Sequence, residues 1–227
     1  MSADSLIPPS KPEQSTKETS SKVLLEQPGL ETWLDESFLA EEASALFSEL
    51  ESTLPWRQES IQLFGRTVAI PRLQSWHGDP GASYRYSGLD LEPEPWTPLL
   101  AELRARLETV ELGAQFNSVL ANLYRDGQDS MGWHADDEPE LGAEPVIASL
   151  SLGETRTFQL RHRTDRSIAR IDLDLPSGSL LWMAGKTQTH WQHALPKRGG
   201  KRRTWGARIN LTFRRIYSPA ELDAQAL

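Results

Sequence analysis

"ARINLTFRR", residues 207 to 215, alternates apolar and polar side chains from its first residue to its eighth. Such a period of two is typical of a β-strand, in which successive side chains point to opposite faces. One face would carry Ala207, Ile209, Leu211 and Phe213, and the other Arg208, Asn210, Thr212 and Arg214. The pattern predicts a strand with its apolar face in the core and its polar face turned either to solvent or to a polar cavity.

Five further segments have the same short alternating pattern: "NSVLANLY" (117–124), "PVIASLSLG" (145–153), "TRTFQLRH" (155–162), "ARIDLDL" (169–175) and "GSLLWMA" (178–184). Many short strands in succession favour a β-sandwich or barrel. In the first of these segments Asn122 and Tyr124 share a face. Two strands that both carry polar groups on one face favour the second alternative, in which these groups line a cavity.

Two helices are predicted before these strands. From Asp35 to Leu54 the apolar residues recur at helical spacing behind an acidic first turn, which suits the helix dipole. A second helix is predicted across "EPWTPLLAELRARLETV" (94–110), with Pro95 near its start. The fold class is therefore α+β and mainly β, with N-terminal helices packed against the strands.

The chain has 227 residues, which suits one domain with a tail. Residues 1–24 are rich in Ser, Pro, Lys, Glu and Thr, so we expect a disordered tail followed by a single domain over 25–227. The N-terminus lacks the pattern of a secretory signal, and no apolar run approaches the length of a membrane span. A soluble intracellular protein that acts as a monomer and binds no membrane is the expectation.

The net charge of −8 argues against a protein that is basic over its whole surface. The charges are unevenly distributed, however. Residues 26–51 contain eight acidic and no basic residues, whereas residues 195–215 contain eight basic and no acidic residues. An acidic total can therefore conceal a basic face. The alternative is ordinary surface charge.

"MGWHADDEPELG", residues 131–142, places a histidine two residues before an aspartate. On an extended segment His134 and Asp136 would point the same way, as two ligands of one metal ion. The chain has no cysteine, so a third ligand would come from another histidine or acid. Two histidines and one carboxylate form the facial triad of iron oxygenases that use a 2-oxoacid. Arg208 has the charge and geometry to bind the far carboxylate of such a co-substrate.

Taken together, "NLYRDGQDSMGWHADDEPELG", "IASLSLGETRTFQLRHR", "THWQHALPK" and "RINLTFRR" resemble the AlkB family of iron(II)- and 2-oxoglutarate-dependent dioxygenases. The resemblance extends from about Pro71 to Arg215 with the segments in family order. It implies a double-stranded β-helix, or jelly roll, with Fe(II), 2-oxoglutarate and dioxygen as cofactor and co-substrates. A region at about 55–95 would recognise the substrate.

The resemblance also implies a role for individual residues. The iron ligands, which are the catalytic residues, would be His134, Asp136 and His193. His193 is preferred to His190 because it occupies the position of the family's second histidine in "HALP". The 2-oxoglutarate pocket would be lined by Asn122, Tyr124, Arg208, Asn210 and Arg214. This grouping agrees with the alternation of the two strands.

On the substrate side, the resemblance implies that Tyr84 and Tyr86 lie in the pocket for a base flipped out of the nucleic acid. Trp76, from the same region, either contacts the base or belongs to the core. Asp137 and Glu138 would face a methylated base that carries positive charge, such as 1-methyladenine or 3-methylcytosine. Candidates for phosphate contacts are Arg161, Arg163, Lys197, Arg198, Lys201, Arg202 and Arg203.

The function implied is oxidative demethylation of alkylated DNA, and also of RNA, with release of formaldehyde and succinate. Two alternatives remain open at this point. One is a 2-oxoglutarate dioxygenase that acts on a protein or a small molecule. The other is a jelly-roll binding module without catalysis, which the presence of every expected ligand residue disfavours.

Overall fold

The computed structural model describes residues 22–63, 65–82, 84–86, 89–199 and 204–225. Most of the expected disordered tail lies outside these residues, but Lys22–Leu24 belong to the first strand. The strands of the described residues are β1 Lys22–Gln27, β2 Leu30–Asp35, β3 Ser60–Leu63, β4 Arg66–Ala69, β5 Leu73–Gly78, β6 Tyr84–Tyr86, β7 Leu89–Leu91, β8 Ser118–Tyr124, β9 Met131–His134, β10 Ile147–Gly153, β11 Arg156–His162, β12 Ile171–Leu175, β13 Ser179–Ala184, β14 Trp191–Leu195 and β15 Arg208–Arg214.

The strands form two main sheets. The major sheet has seven strands in the order β1-β2-β13-β10-β15-β8-β5, and the minor sheet has four in the order β12-β11-β14-β9. Every pairing within them is antiparallel. Two separate hairpins, β3-β4 and β6-β7, flank β5 in sequence. The six strands that the sequence predicts are all present.

The two sheets pack face to face, and this places a core between them. Ile147 and Leu181 of the major sheet belong to one apolar cluster with Leu160 and Trp191 of the minor sheet. Further along the same sheets the space between them is polar and forms a cavity lined by residues of both. This arrangement is the jelly roll that the sequence predicts.

The four α-helices of the described residues are α1 Ala43–Thr53, α2 Pro98–Glu108, α3 Thr187–His190 and α4 Pro219–Gln225. Helices α1 and α2 cover the outer face of the major sheet, with Leu50 and Leu103 in one cluster with Leu211 and Phe213 of β15. All seven residues of β15 are therefore buried, the apolar ones under the helices and the polar ones facing the minor sheet.

Both predicted helices begin later than expected. Helix α1 starts at Ala43 rather than at Asp35, because the preceding residues form β2 and a turn. Its first turn contains no acidic residue. Helix α2 starts at Pro98, and the hydroxyl of Thr97 caps it by accepting a hydrogen bond from the N–H of Leu100 at 3.2 Å. The proline at the start of α2 is thus Pro98 and not Pro95.

Strands β1 and β2 were not expected from the sequence. They form a hairpin around Gly29, whose φ of 68° lies in the left-handed region that glycine adopts without strain. β2 then pairs with β13 and extends the major sheet. No helix in the described part of the chain combines the length and the apolar composition needed to cross a membrane.

A matched pair of leucine substitutions tests the packing of α2 on the sheet. Leu103 is 1% exposed in the core, whereas Leu112 is fully exposed. We expect Leu103→Ala to lower the free energy of unfolding by about 2–5 kcal/mol, since it leaves a cavity. Leu112→Ala should change it by less than about 0.5 kcal/mol. Urea unfolding followed by tryptophan fluorescence measures both, and equal effects would contradict this packing.

Candidate metal centre

Three predicted ligand residues meet at one end of the space between the sheets. His134 is the last residue of β9, and it lies directly opposite His193 of β14 in the antiparallel pairing of the two strands. Asp136 follows His134 by two residues. His134 and His193 are 59 positions apart in sequence, and the antiparallel pairing of β9 with β14 brings them into contact.

The ligand atoms of these residues lie within 4.8 Å of one another. His134 Nε2 is 3.8 Å from one carboxylate oxygen of Asp136, and His193 Nε2 is 4.0 Å from the other. The two imidazole rings have their centroids 4.2 Å apart. Two nitrogens and a carboxylate oxygen at these separations suit a single divalent ion.

Neighbouring groups orient each ligand. His134 Nδ1 lies 2.9 Å from the carbonyl oxygen of Gly132, and since a carbonyl only accepts, Nδ1 carries the proton. His134 Nε2 then keeps its lone pair for a metal. The ring of His193 stacks on Phe158 with centroids 5.2 Å apart. The backbone N–H of Asp136 donates to Gln188 Oε1 at 3.0 Å.

Asp136 is buried, and its carboxylate also bonds Arg214, with 3.0 Å between Arg214 Nη2 and Asp136 Oδ2. Burial alone would raise the pKa of Asp136, but Arg214 and the two histidines outweigh it and hold this pKa below its usual value. Asp136 is therefore ionised, which is the form that binds a metal.

His193 is buried, and burial is the main reason that its pKa falls to about 3. His134 lowers this pKa further, while Asp136 opposes the shift. At neutral pH His193 is consequently neutral, as a metal ligand must be.

The polar face of β15 continues the site away from the metal ligands. Arg208 is 2% exposed; its Nη2 donates to Ser151 Oγ at 2.8 Å, and its guanidinium lies 5.4 Å from the ring centroid of Tyr124. Among the described residues, Arg208 Nε is buried without a hydrogen-bond partner. Burial lowers the pKa of Arg208 to about 10, so it remains charged at neutral pH. A buried cation with an unused donor is suited to a carboxylate ligand.

Hydrogen bonds fix the side chains of the two asparagines in the site, Asn210 and Asn122. Asn210 Nδ2 donates to Ser149 Oγ at 2.8 Å and to the Leu150 carbonyl at 2.9 Å. Asn122 Oδ1 accepts from Arg72 Nε at 2.8 Å and from Gln74 Nε2 at 2.9 Å. All five predicted pocket residues, Asn122, Tyr124, Arg208, Asn210 and Arg214, line the same cavity as the three ligand residues.

The predicted substrate residues are less uniformly placed. Glu138 is half-buried and lines the cavity. Asp137 is exposed, and its carboxylate accepts from Arg163 at 2.6 Å, so the structure does not bring it to the cavity. Trp76 is 8% exposed and belongs to a core cluster with Leu141. The side chains of Tyr84 and Tyr86 lie outside the described residues, although their backbone forms β6.

The predicted phosphate contacts are partly engaged within the protein. Arg161 donates to Gln192 Oε1 and lies 4.2 Å from the ring centroid of Trp133, and Arg163 pairs with Asp137. Lys197 is exposed, and Arg198 lies 5.5 Å from the ring centroid of Trp205. Lys201, Arg202 and Arg203 lie outside the described residues.

Several residues of the site were not found from the sequence. Ser149 and Ser151 lie on the polar side of β10, and the alternation in "IASLSLG" could have revealed them. Arg72 and Gln188 come from segments without a regular pattern, so only the folded chain shows that they reach the site.

A family model described as the 2OG-Fe(II) oxygenase superfamily matches residues 30–214. DNA oxidative demethylase ALKBH2 from Bos taurus is 42% identical over 184 residues, covering 77% of this chain and 65% of that protein. Human alpha-ketoglutarate-dependent dioxygenase alkB homolog 3 is 42% identical, covering 78% of this chain and 62% of that protein. This chain thus aligns with less than two thirds of either relative.

ALKBH2 from Mus musculus is 43% identical over 184 residues, which cover 77% of this chain and 75% of that protein. Among solved structures, that of OsALKBH1 superposes with a TM-score of 0.53 over 84% of this chain and 100% of that one, at 20% identity, and supports the fold alone. The chain belongs to the 2OG-Fe(II) oxygenase superfamily and, within it, to the AlkB family of dioxygenases.

Proposed function

We propose that this protein is an Fe(II)- and 2-oxoglutarate-dependent dioxygenase that removes N-methyl groups from alkylated bases. The substrates we propose are 1-methyladenine and 3-methylcytosine in DNA, and also in RNA. The observation that carries the proposal is the His134, Asp136 and His193 triad in one cavity with buried Arg208, whose Nε has no partner among the described residues. The names of the relatives, as DNA oxidative demethylases, support the substrate class.

In this proposal His134, Asp136 and His193 hold the iron through three ligand atoms, and Arg208 binds the far carboxylate of 2-oxoglutarate. Tyr124 lies against the guanidinium of Arg208, and the remaining wall is formed by Asn122, Asn210 and Arg214. When bound, Fe(II) and 2-oxoglutarate supply an oxidation in which one atom of dioxygen enters succinate and the other hydroxylates the methyl group.

The overall change balances without a further oxidant. The methylated base, 2-oxoglutarate and dioxygen give the hydroxymethylated base, succinate and carbon dioxide. The C–N bond of the N–CH2OH group then breaks, which releases formaldehyde. The bonding electrons stay on the ring nitrogen and the hydroxyl proton is lost to solvent, so the cationic base becomes neutral. The residues of the chain position the base and supply electrostatic interactions, because the methyl group itself has no polar atom that they could bind.

Glu138 is the acid placed to favour a cationic base, since its half-buried side chain lines the cavity. We propose that Tyr84 and Tyr86 stack on the flipped base, and that the hairpins and β5 within residues 55–95 recognise the substrate. Trp76 would support this region from the core. All proposed ligands come from one chain, which is consistent with action as a monomer.

A pair of histidine substitutions tests the metal site. We expect His193→Ala to abolish formaldehyde release from a single-stranded DNA oligomer with one 3-methylcytosine, assayed with Fe(II), ascorbate and 2-oxoglutarate. His190→Ala is the matched control and should stay active, because His190 stacks on His162 with centroids 5.9 Å apart and lies outside the cavity. Succinate formation without formaldehyde in the wild type would keep the iron site and reject this substrate.

Substitution of Arg208 tests the co-substrate site. Arg208→Met removes the buried charge that is proposed to bind the far carboxylate of 2-oxoglutarate. We therefore expect 2-oxoglutarate to bind at least about thirtyfold more weakly. The control is Arg170→Met, which changes an exposed arginine paired with Asp172. Calorimetric titration of the Co(II) protein with 2-oxoglutarate, without oxygen, measures both. An unchanged dissociation constant in Arg208→Met would exclude this role.

A comparison of a cationic and a neutral methylated base tests whether Glu138 recognises charge. We expect Glu138→Gln to lower kcat/KM by about tenfold for 3-methylcytosine, which is cationic, and by much less for 3-methylthymine, which is neutral. Glu138→Asp, which keeps the charge, should preserve the preference. Equal losses for both bases in Glu138→Gln would mean that this carboxylate does not recognise charge.

A further inference from the structure

The three ligand residues are not held equally well by the sheets. His134 and His193 belong to strands and pair with each other across the minor sheet. Asp136 lies beyond the end of β9, in residues 135–138, which are neither helix nor strand. We call these residues the ligand segment. Because no backbone ladder fixes it, its position depends on side chains that reach it from other elements.

Gln188 is the first such side chain. It is 1% exposed, and its Oε1 accepts from the backbone N–H of Asp136 at 3.0 Å. Its Nε2 lies 3.6 Å from the sulfur of Met183. With both ends of the amide engaged and the residue fully buried, the orientation of the acceptor oxygen is fixed.

Helix α3, which carries Gln188, is itself anchored to the major sheet. Thr187 Oγ1 accepts from the backbone N–H of Glu31 in β2 at 2.9 Å and lies 3.3 Å from the hydroxyl of Thr32. The rigid sheet therefore positions Gln188 through Thr187, and Gln188 in turn positions Asp136.

Arg163 holds the ligand segment from the other side. Its Nη1 donates to Asp137 Oδ2 at 2.6 Å and to the carbonyl oxygen of Gln188 at 3.1 Å. Its backbone N–H donates to the carbonyl of His190 at 2.8 Å, which ties the end of β11 to α3. Asp137 and Gln188 are thus joined by one guanidinium.

We propose that Gln188 and Arg163 are positioning residues that set metal affinity by fixing the backbone of Asp136. The physical reason is competition, since Arg214 already bonds the Asp136 carboxylate at 3.0 Å. A ligand segment free to move lets the carboxylate turn fully to Arg214 and away from the metal. In this reading Asp137 belongs to the clasp, formed by Asp137, Arg163 and Gln188, and not to the base pocket. The inference rests on the proposed iron site.

The test measures metal affinity directly, with Co(II) as the probe. The metal-free full chain is titrated with Co(II) and followed by its visible absorption. We expect Gln188→Met, which keeps the length but removes the acceptor, to weaken Co(II) binding by about tenfold or more. Gln188→Glu retains an acceptor oxygen and should stay within about threefold of the wild type. Gln159→Met, a half-buried glutamine of β11, is the matched control.

A second variant guards against loss of folding. Arg163 is exposed, so Arg163→Met leaves the core intact, and we expect it to weaken Co(II) binding by about threefold to tenfold. Arg166→Met, an exposed arginine of the same loop, should have no effect. The melting temperature of each metal-free variant is measured in parallel.

The outcomes separate this inference from the proposed function. Weaker Co(II) binding in Gln188→Met and Arg163→Met, with controls unchanged, supports the clasp even if the wild type releases no formaldehyde. A lower melting temperature with unchanged Co(II) affinity in both variants overturns it, because the two residues would then be merely structural. That result would leave the proposed demethylation intact.

Discussion

The buried ion pair between Asp136 and Arg214 is the interaction on which the site depends. Both side chains are about 5% exposed, and 3.0 Å separates Arg214 Nη2 from Asp136 Oδ2. A charge without a partner at this depth would destabilise the fold by several kcal/mol. The pair therefore fixes the relation between β15, which carries Arg214, and the segment after β9, which carries Asp136. Arg214 belongs to the major sheet, and Asp136 lies just beyond a strand of the minor sheet, so the pair joins the two sides of the cavity.

Arg208 forms no ion pair with an acidic side chain among the described residues. Its neighbours are the hydroxyl of Ser151 and the ring of Tyr124, and its Nε is buried without a partner among the described residues. The chain tolerates this because β15 is central in the major sheet, with β10 on one side and β8 on the other. The sheet therefore holds the guanidinium of Arg208 in a fixed position, and a cation fixed in this way would be preorganised for the co-substrate carboxylate that we propose it binds.

The sequence could predict features that belong to a single strand, but not features that depend on packing between elements. Alternation identified β15 and β8, and it placed Arg208 and Asn122 on the polar faces of these strands, because a period of two is a property of the strand alone. It could not decide whether these polar faces meet solvent or a cavity, because that depends on how the minor sheet packs against them, which is a tertiary fact.

The start of α1 was misjudged for a related reason. The apolar residues do recur at helical spacing from Asp35 onward, but Asp35 belongs to β2, which pairs with β13. Residues 36–42 form a turn in which the N–H of Leu39 donates to the carbonyl of Gly178, and these tertiary contacts override local propensity. Gln188 could not be found at all, because a lone glutamine in "TQTH" has no pattern. Its hydrogen bond with the N–H of Asp136 forms only when α3 packs against the major sheet. For Asp137 the resemblance implies a substrate contact, and the structure adds an ion pair with Arg163 that no sequence pattern indicates.

The charges of the cavity set a final constraint on the substrate. Its lining includes three arginines and two carboxylates, so the formal charge of these five groups is positive by one. Fe(II) and 2-oxoglutarate carry equal and opposite charges, so binding both leaves that total unchanged. Each partner alone shifts the charge by two, so the two favour each other's binding, and this coupling is reciprocal. The cationic base that we propose as substrate would then meet a cavity that is positive overall. Asp136 bonds Arg214 and is proposed to bind the metal, and the contact with the base is therefore proposed for Glu138, which also lines the cavity.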